Sequence, residues 1–250
     1  MGHFALELAL RPLTPNIDVN DGPGIFLGPV EIRSAEHLRP FLEDPDSEAS
    51  GIVSVIYQHL CPQSDARLWQ RAGLRYGMTV LRPGCLGREW VKTAGHYRSP
   101  ASVEMMEIVL GSGIVLVQTP APDGGLEQVT CVKLQSRSVV VIPPRSARVL
   151  VNTGTGNLAV GHVAASGTVR AEHEELARHR GAAYYLGPDG ARPNPHYLDL
   201  PPLRTTEVDR LPLIRLGRPL LGKWTTRTDL YGDLLKNPEK MLRWASGRFS

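Results

Sequence analysis

Two segments of this chain hold residue types able to do chemistry. The first runs Gly87-Arg-Glu-Trp-Val-Lys-Thr-Ala-Gly-His96-Tyr-Arg98, followed by Glu104 and, after six residues, Gly111. The second runs Pro143-Pro-Arg-Ser-Ala-Arg148-Val-Leu-Val-Asn152-Thr-Gly154. Histidine and glutamate can ligate a metal or move a proton, whereas a guanidinium stays protonated and offers donors only. His96, Arg98, Glu104 and Arg148 thus combine a proton carrier, a carboxylate and two fixed cations. Such a set can close on itself as an internal salt bridge, at a desolvation cost of several kcal/mol per ion. It can also form an anion pocket in which guanidiniums grip a carboxylate or phosphate, with Arg145 adding to it.

Other routes to chemistry are excluded by their missing signatures. There is no GxSxG, no HExxH and no phosphate-binding loop ending in GK[ST]. Gly111-Ser-Gly113 reads as a turn between strands. Cys61, Cys85 and Cys131 are an odd, widely spaced set that makes neither a disulfide framework nor a CxxC metal site. Cys85 sits in a turn with no neighbouring His to activate it. His3, His37, His59 and His196 show no partner spacing, His173 and His179 fall on a charged helix and read as solvated, and so does Lys92.

The elements that must position these residues are short strands. Ile52–Leu60, Leu74–Leu81, Glu89–Thr93, Met106–Leu110, Ile114–Thr119, Gln128–Leu134, Val139–Ile142, Arg148–Val151 and Leu158–Ala164 are rich in Val, Ile, Leu and Thr and are separated by Gly, Pro, Asn or Asp clusters. With no helical stretch between them they predict an antiparallel sandwich or barrel. Alternate residues of a barrel strand face inward, so His96, Arg98, Glu104 and Arg148 are expected to converge. Residues 1–50 read as an irregular N-terminal arm, with a short helix over Ser34–Leu42 interrupted near Pro40. A helix is expected over Val169–Arg180, with Gly181 as its stop. Residues 187–220 read as loop, and Asn237-Pro238-Glu239 as a helix start within a C-terminal extension, 201–250.

Composition narrows the class. The 250 residues carry 28 basic and 25 acidic side chains, a net +3. The basic residues are spread along the chain rather than striped among aromatics, which argues against nucleic acid as a partner. No apolar run reaches the ~18–20 residues of a membrane span, and Met1–Arg11 lacks a signal-peptide pattern. The expectation is a cytoplasmic protein with no membrane partner.

The two segments resemble the motifs of the cupin superfamily, specifically the archaeal-type phosphoglucose isomerase family. That family reads Thr-x-Gly-His-x-His, a Glu six residues before a Gly, and Pro-Pro-x-x-Ala-His-x-x-x-Asn; Thr79, Arg82-Pro83-Gly84 and Val151-Asn152-Thr153-Gly154 fit it too. The similarity runs from about residue 15 to 200. It implies an all-β cupin barrel over 51–200, a homodimer, and aldose–ketose isomerisation of a sugar-phosphate-like or other anionic small molecule. The resemblance makes Glu104 the base, His96 the shuttle for a hydroxyl proton, and Thr79, Thr93, Gly95 and Tyr57 the groups holding the phosphate.

It also exposes a departure. The family's metal is held by three histidines and a glutamate; His96 and Glu104 match, but Arg98 and Arg148 stand where two histidines belong. A later family histidine corresponds to about Ala164–Gly167 and is absent. No cofactor is expected, and Arg98 or Arg148 would serve as electrophile in its place. A divalent ion (Fe, Mn, Ni or Zn) would require His162 to join His96 and Glu104. The alternatives to the family reaction are a metal-free cupin turned to another isomerisation or cyclisation in a specialised pathway, and a non-catalytic binding cupin.

Overall fold

The Val-, Ile-, Leu- and Thr-rich stretches pair into two facing sheets. A computed structural model describes residues 25–62, 66–98, 103–136, 138–166, 173–207, 236–237 and 239–240. The elements are β1 Ile25–Leu27, β2 Val30–Ser34, α1 Ala35–Leu38 with a 3-10 turn Arg39–Phe41, β3 Ile52–Tyr57, β4 Leu60–Pro62, α2 Ala66–Ala72 and β5 Leu74–Leu81. Then follow β6 Cys85–Leu86, β7 Glu89–Trp90, β8 His96–Tyr97, β9 Glu104–Leu110, β10 Ser112–Pro120, β11 Leu126–Gln135, β12 Val139–Ile142, β13 Ala147–Asn152 and β14 Leu158–Ala165. The described chain continues with α3 Glu174–Arg178, β15 Tyr184–Gly187, β16 Gly190–Pro193 and β17 Leu203–Glu207.

The larger sheet has the order β12-β9-β14-β5-β3-β2 and the smaller β17-β11-β10-β13-β8. Pairing is antiparallel throughout, save that β17 joins β11 in parallel. Period-two alternation then sorts the side chains. Leu81, Met106, Ile108, Leu158 and Val160 of the larger sheet meet Val115, Leu134 and Leu150 of the smaller in one buried cluster, the barrel interior. The outer face of the larger sheet packs Tyr57, Tyr76, Met78 and Met105 with Trp69 of α2. The outer face of the smaller sheet is covered by Ala182, Ala183 and Leu186 over Leu116, Cys131 and Val149. With both faces covered, β14 is buried along its whole length, which is why it reads as a nearly continuous apolar run, with His162 the exception.

β5 and β12 fall where the sequence reading puts them, and the other expected strands differ mostly at their ends. The departures are instructive. α2 lies between two strands, where no helix was expected. Part of the N-terminal arm is a sheet edge, since β2 pairs with β3 and Ala35, Leu38, Phe41 and Leu42 are buried. The stretch expected as loop from 187 holds β16, which closes a hairpin with β15, and β17. The helix expected from Val169 is described only over Glu174–Arg178, its first residues lying outside the described set. It stops with Arg180 at φ +52° and Gly181 at φ +120°, the Gly181 N–H donating to the Leu176 carbonyl. At the far end the Lys240 N–H donates to Asn237 Oδ1, the expected cap, while 241–250 lie outside the description.

Candidate active site

The barrel register brings the predicted cluster together. β8 and β13 are neighbours, and His96 and Arg148 are direct cross-strand partners. Glu104 opens β9 in the opposite sheet, so any bond from Arg148 to it spans the interior. That bond exists: Arg148 Nε donates to Glu104 Oε2 at 2.5 Å and a second guanidinium nitrogen to Oε1 at 3.2 Å. Arg98 Nη1 lies 3.5 Å from the same Oε1 and 3.4 Å from His96 Nε2. Glu104 is 1% exposed, and His96, Arg98 and Arg148 are each 5% exposed. Burial, the largest single influence, pushes the Glu104 carboxyl up. Arg148, then Arg98 and His162, together outweigh it and hold the group well below the usual carboxylate range.

Beside this cluster lies a cavity of about 120 Å³, lined in part by Ser54, Thr79, Thr93, Gly95, His96, Arg148 and His173. Each lining group has a local reason for its place. Thr79 on β5 pairs with Ile56 and Val160, putting its side chain on the inward face. Thr93 Oγ1 accepts the Leu150 N–H at 3.0 Å, and its own hydroxyl hydrogen is then available to an acceptor. Gly95 sits at φ +79°, and a Cβ there would come within 2.5 Å of Val149 and 2.8 Å of the Arg148 carbonyl oxygen. Only glycine fits that close approach. Arg148 is the cluster member that both braces Glu104 and lines the cavity; Glu104 and Arg98 are not among the lining residues.

The same observations test the residues as metal ligands. Both Glu104 oxygens are engaged by guanidinium hydrogens, and Arg98 and Arg148 cannot donate electron pairs to a cation. His162 shares the inward register, paired with Gly77 and Met106, but its ring lies over Gly77, where a Cβ would meet Nε2 at 2.4 Å. Among the described residues no group of three or more His, Cys, Asp or Glu is arranged to hold an ion. The donor set does not fit a divalent metal.

Comparison with known proteins sets this geometry in context. The family model for glucose-6-phosphate isomerase matches residues 41–198. The chain is 30% identical over 148 residues to glucose-6-phosphate isomerase of Thermococcus gammatolerans, covering 58% of this chain and 73% of the relative. It is 34% identical over 149 residues to the enzyme of the same name from Pyrococcus abyssi, covering 58% and 74%. The chain belongs to the glucose-6-phosphate isomerase family. Among solved structures it is similar to hazelnut vicilin (Corylus avellana; TM-score 0.36, 18% identity, 47% of this chain and 31% of that one). It is also similar to oxalate oxidase in complex with glycolate (TM-score 0.34, 14% identity, 44% and 49%).

This member of the isomerase family has the all-β cupin architecture, and its function is related to that of the isomerase cupins. No helix among the described residues is long and apolar enough to cross a membrane. Several site expectations need correction. Tyr57 does not line the cavity: it is 1% exposed in the cluster outside the larger sheet, while its neighbours Ser54 and Ile56 face the cavity. Arg145 is exposed in a left-handed turn at φ +62° and does not reach the cavity. Lys92 is buried rather than solvated, paired with the fully buried Glu89 and set 5.4 Å from the centre of the Tyr185 ring.

Three lining residues had been passed over. His173, read as solvated, turns back so that Nδ1 lies 2.5 Å from the Gly95 carbonyl oxygen. His37 of α1 and Arg33 of β2 line the cavity from the N-terminal segment. A signal for β2 existed in Val30-Glu-Ile-Arg-Ser34, a short alternating run, but nothing local marks His173.

Proposed function

We propose that this chain is a metal-free isomerase of the family, binding a sugar-phosphate-like or other anionic small molecule and interconverting it by proton transfer. The observation that carries the proposal is the dual engagement of Arg148. Glu104 holds the guanidinium in a fixed plane from behind while the same residue lines a cavity with Thr79, Thr93 and Gly95. A fixed cation beside hydroxyls suits a substrate oxyanion, and it would stabilise the negative oxygen that develops when a proton leaves the adjacent carbon. Burial strengthens that electrostatic effect. On this reading Arg148 is the electrophile, Arg98 braces Glu104 and His96, His96 donates to a substrate oxygen, and Thr79, Thr93 and the Gly95 backbone hold the phosphate. A homodimer in the cytoplasm is part of the same proposal.

A second reading keeps the pocket and changes the reaction. The salt-bridged carboxylate of Glu104 is a weak base, which favours a different metal-free isomerisation or cyclisation over the family's own. The test is calorimetric titration with inorganic phosphate and fructose 6-phosphate, followed by a coupled isomerase assay. Binding that weakens about tenfold or more in Arg148→Lys, which keeps the charge and loses the planar fork, supports the anion pocket. Turnover of fructose 6-phosphate selects the first reading, binding without turnover selects the second, and no binding of either anion refutes both.

A further inference from the structure

The larger sheet supplies one wall of the cavity, and two hydroxyls on that wall make no bond within the protein. Ser54 of β3 and Thr79 of β5 are 2% and 3% exposed, and both line the cavity. Neither hydroxyl has a hydrogen-bond partner among the described residues. Burying a hydroxyl without a partner is unfavourable, and buried polar groups are otherwise almost always paired. Ser54 stands between Val53 and Val55, both fully buried, so an aliphatic side chain would be the ordinary filling of its position. The register makes the two hydroxyls diagonal neighbours: Ser54 pairs with Leu81, two residues along β5 from Thr79, which sets both on the inward face.

What the Ser54 hydroxyl takes follows from the charges beside it. Its cross-strand partner on β2 is Arg33, whose guanidinium is ion-paired with Glu31 on the same face. The other Glu31 oxygen accepts from Gln58 Nε2 at 3.2 Å, and Glu31 and Arg33 both line the cavity. That pair sums to zero and sets a carboxylate on this wall, a poor setting for a phosphate or carboxylate group. The cluster around Arg148 instead holds two guanidiniums against the carboxylate of Glu104. A neutral hydroxyl suits the Ser54 end, because it gives and accepts hydrogen bonds at once, as Ser54 itself does. We infer that Ser54 is a specificity-determining residue that binds a neutral hydroxyl on the carbon chain of the substrate, while the anion is held at Arg148, Thr79 and Thr93. The inference rests on the anion-pocket reading above and adds the side of the pocket that tells a hydroxylated anion from a bare one.

The experiment is calorimetric titration of the full chain with three probes: inorganic phosphate, propyl phosphate, whose chain has no hydroxyl, and fructose 6-phosphate. The wild type is expected to bind fructose 6-phosphate at least about tenfold tighter than propyl phosphate. In Ser54→Ala that preference is expected to shrink by about threefold or more, with inorganic and propyl phosphate within about twofold of their wild-type affinities. Retained phosphate affinity also reports that the variant is folded. The wild-type arm needs no variant: equal affinity for propyl phosphate and fructose 6-phosphate overturns the inference and leaves the anion pocket standing. An unchanged preference in Ser54→Ala overturns it too, as does a loss shared equally by all three probes, which would put Ser54 on the anion itself. A wild-type chain that binds none of the three refutes the anion pocket and this inference together.

Discussion

Replacing Glu104 with glutamine changes one charge and almost no volume at the centre of the barrel, and removes the carboxylate that both Arg98 and Arg148 engage. Both arginines are 5% exposed, so water cannot take over the lost role. Removing one partner of a buried ion pair costs about 3–5 kcal/mol. For a chain of this size each kcal/mol moves the melting temperature by roughly 2–4 °C, so Glu104→Gln is expected to lower it by about 6–20 °C at pH 7. The sign with pH follows from the depressed carboxyl. A group whose folded pKa lies below its unfolded value contributes stability above the unfolded value, about 4.3 for Glu, and loses it as pH falls through the folded one. The gap between wild type and Glu104→Gln is therefore full at pH 6–7 and shrinks steadily as the pH is lowered through ~4. Urea unfolding across that range, repeated with Arg148→Met and the double variant, measures it. The double variant should be less destabilised than the sum of the singles, because each change removes the reason for the other's cost. A Glu104→Gln penalty under about 1 kcal/mol, or one that does not vary with pH, would refute the clamp as described.

Other outcomes follow from single sites. Gly95→Ala forces a Cβ to 2.5 Å from Val149 at a positive φ, and should cost about 2–4 kcal/mol in chemical denaturation while weakening phosphate binding. Lys92→Met removes the ion-pair partner of the fully buried Glu89, which keeps the Glu43 N–H as its remaining donor among the described residues, and is expected to cost about 3 kcal/mol, part of which returns when Glu89→Gln is added; equal stability of Lys92→Met and wild type would contradict this. Tyr57→Phe should leave phosphate affinity within about twofold by calorimetry, because the ring lies outside the cavity, whereas Thr93→Val should weaken it.

What was legible in the sequence was whatever alternation and turn residues express locally. β5 is bounded by Gly73 and the Arg82-Pro83-Gly84 turn, and β12 by the Pro143-Pro144 pair, so both could be located from the residues alone. The inward convergence of His96, Arg148 and Glu104 was legible for the same reason, since period two fixes the face once the strand is known. Tyr57 failed for want of register: Ile56, not Tyr57, pairs with the inward-facing Thr79, so the neighbouring residue must point away. Lys92 was misread because its environment comes from Tyr185, almost a hundred positions later. α2 carries a single fully buried side chain, Trp69, too little to give a helical stripe. His173 lies among glutamates and arginines that advertise solvent, and only the chain's return to Gly95 reveals its place.

The clamp across the barrel also constrains how this chain could change. Glu104 is held from two directions, so exchanging either arginine alone for histidine leaves the carboxylate occupied by the other. Exchanging both at once leaves a buried anion until some cation arrives. Each charge-balanced composition is thus separated from the metal-binding one by intermediates that are blocked or unstable. The arginine pair works as an evolutionary lock, and a lineage that has acquired both is expected to refine anion chemistry in this pocket rather than drift back toward a metal.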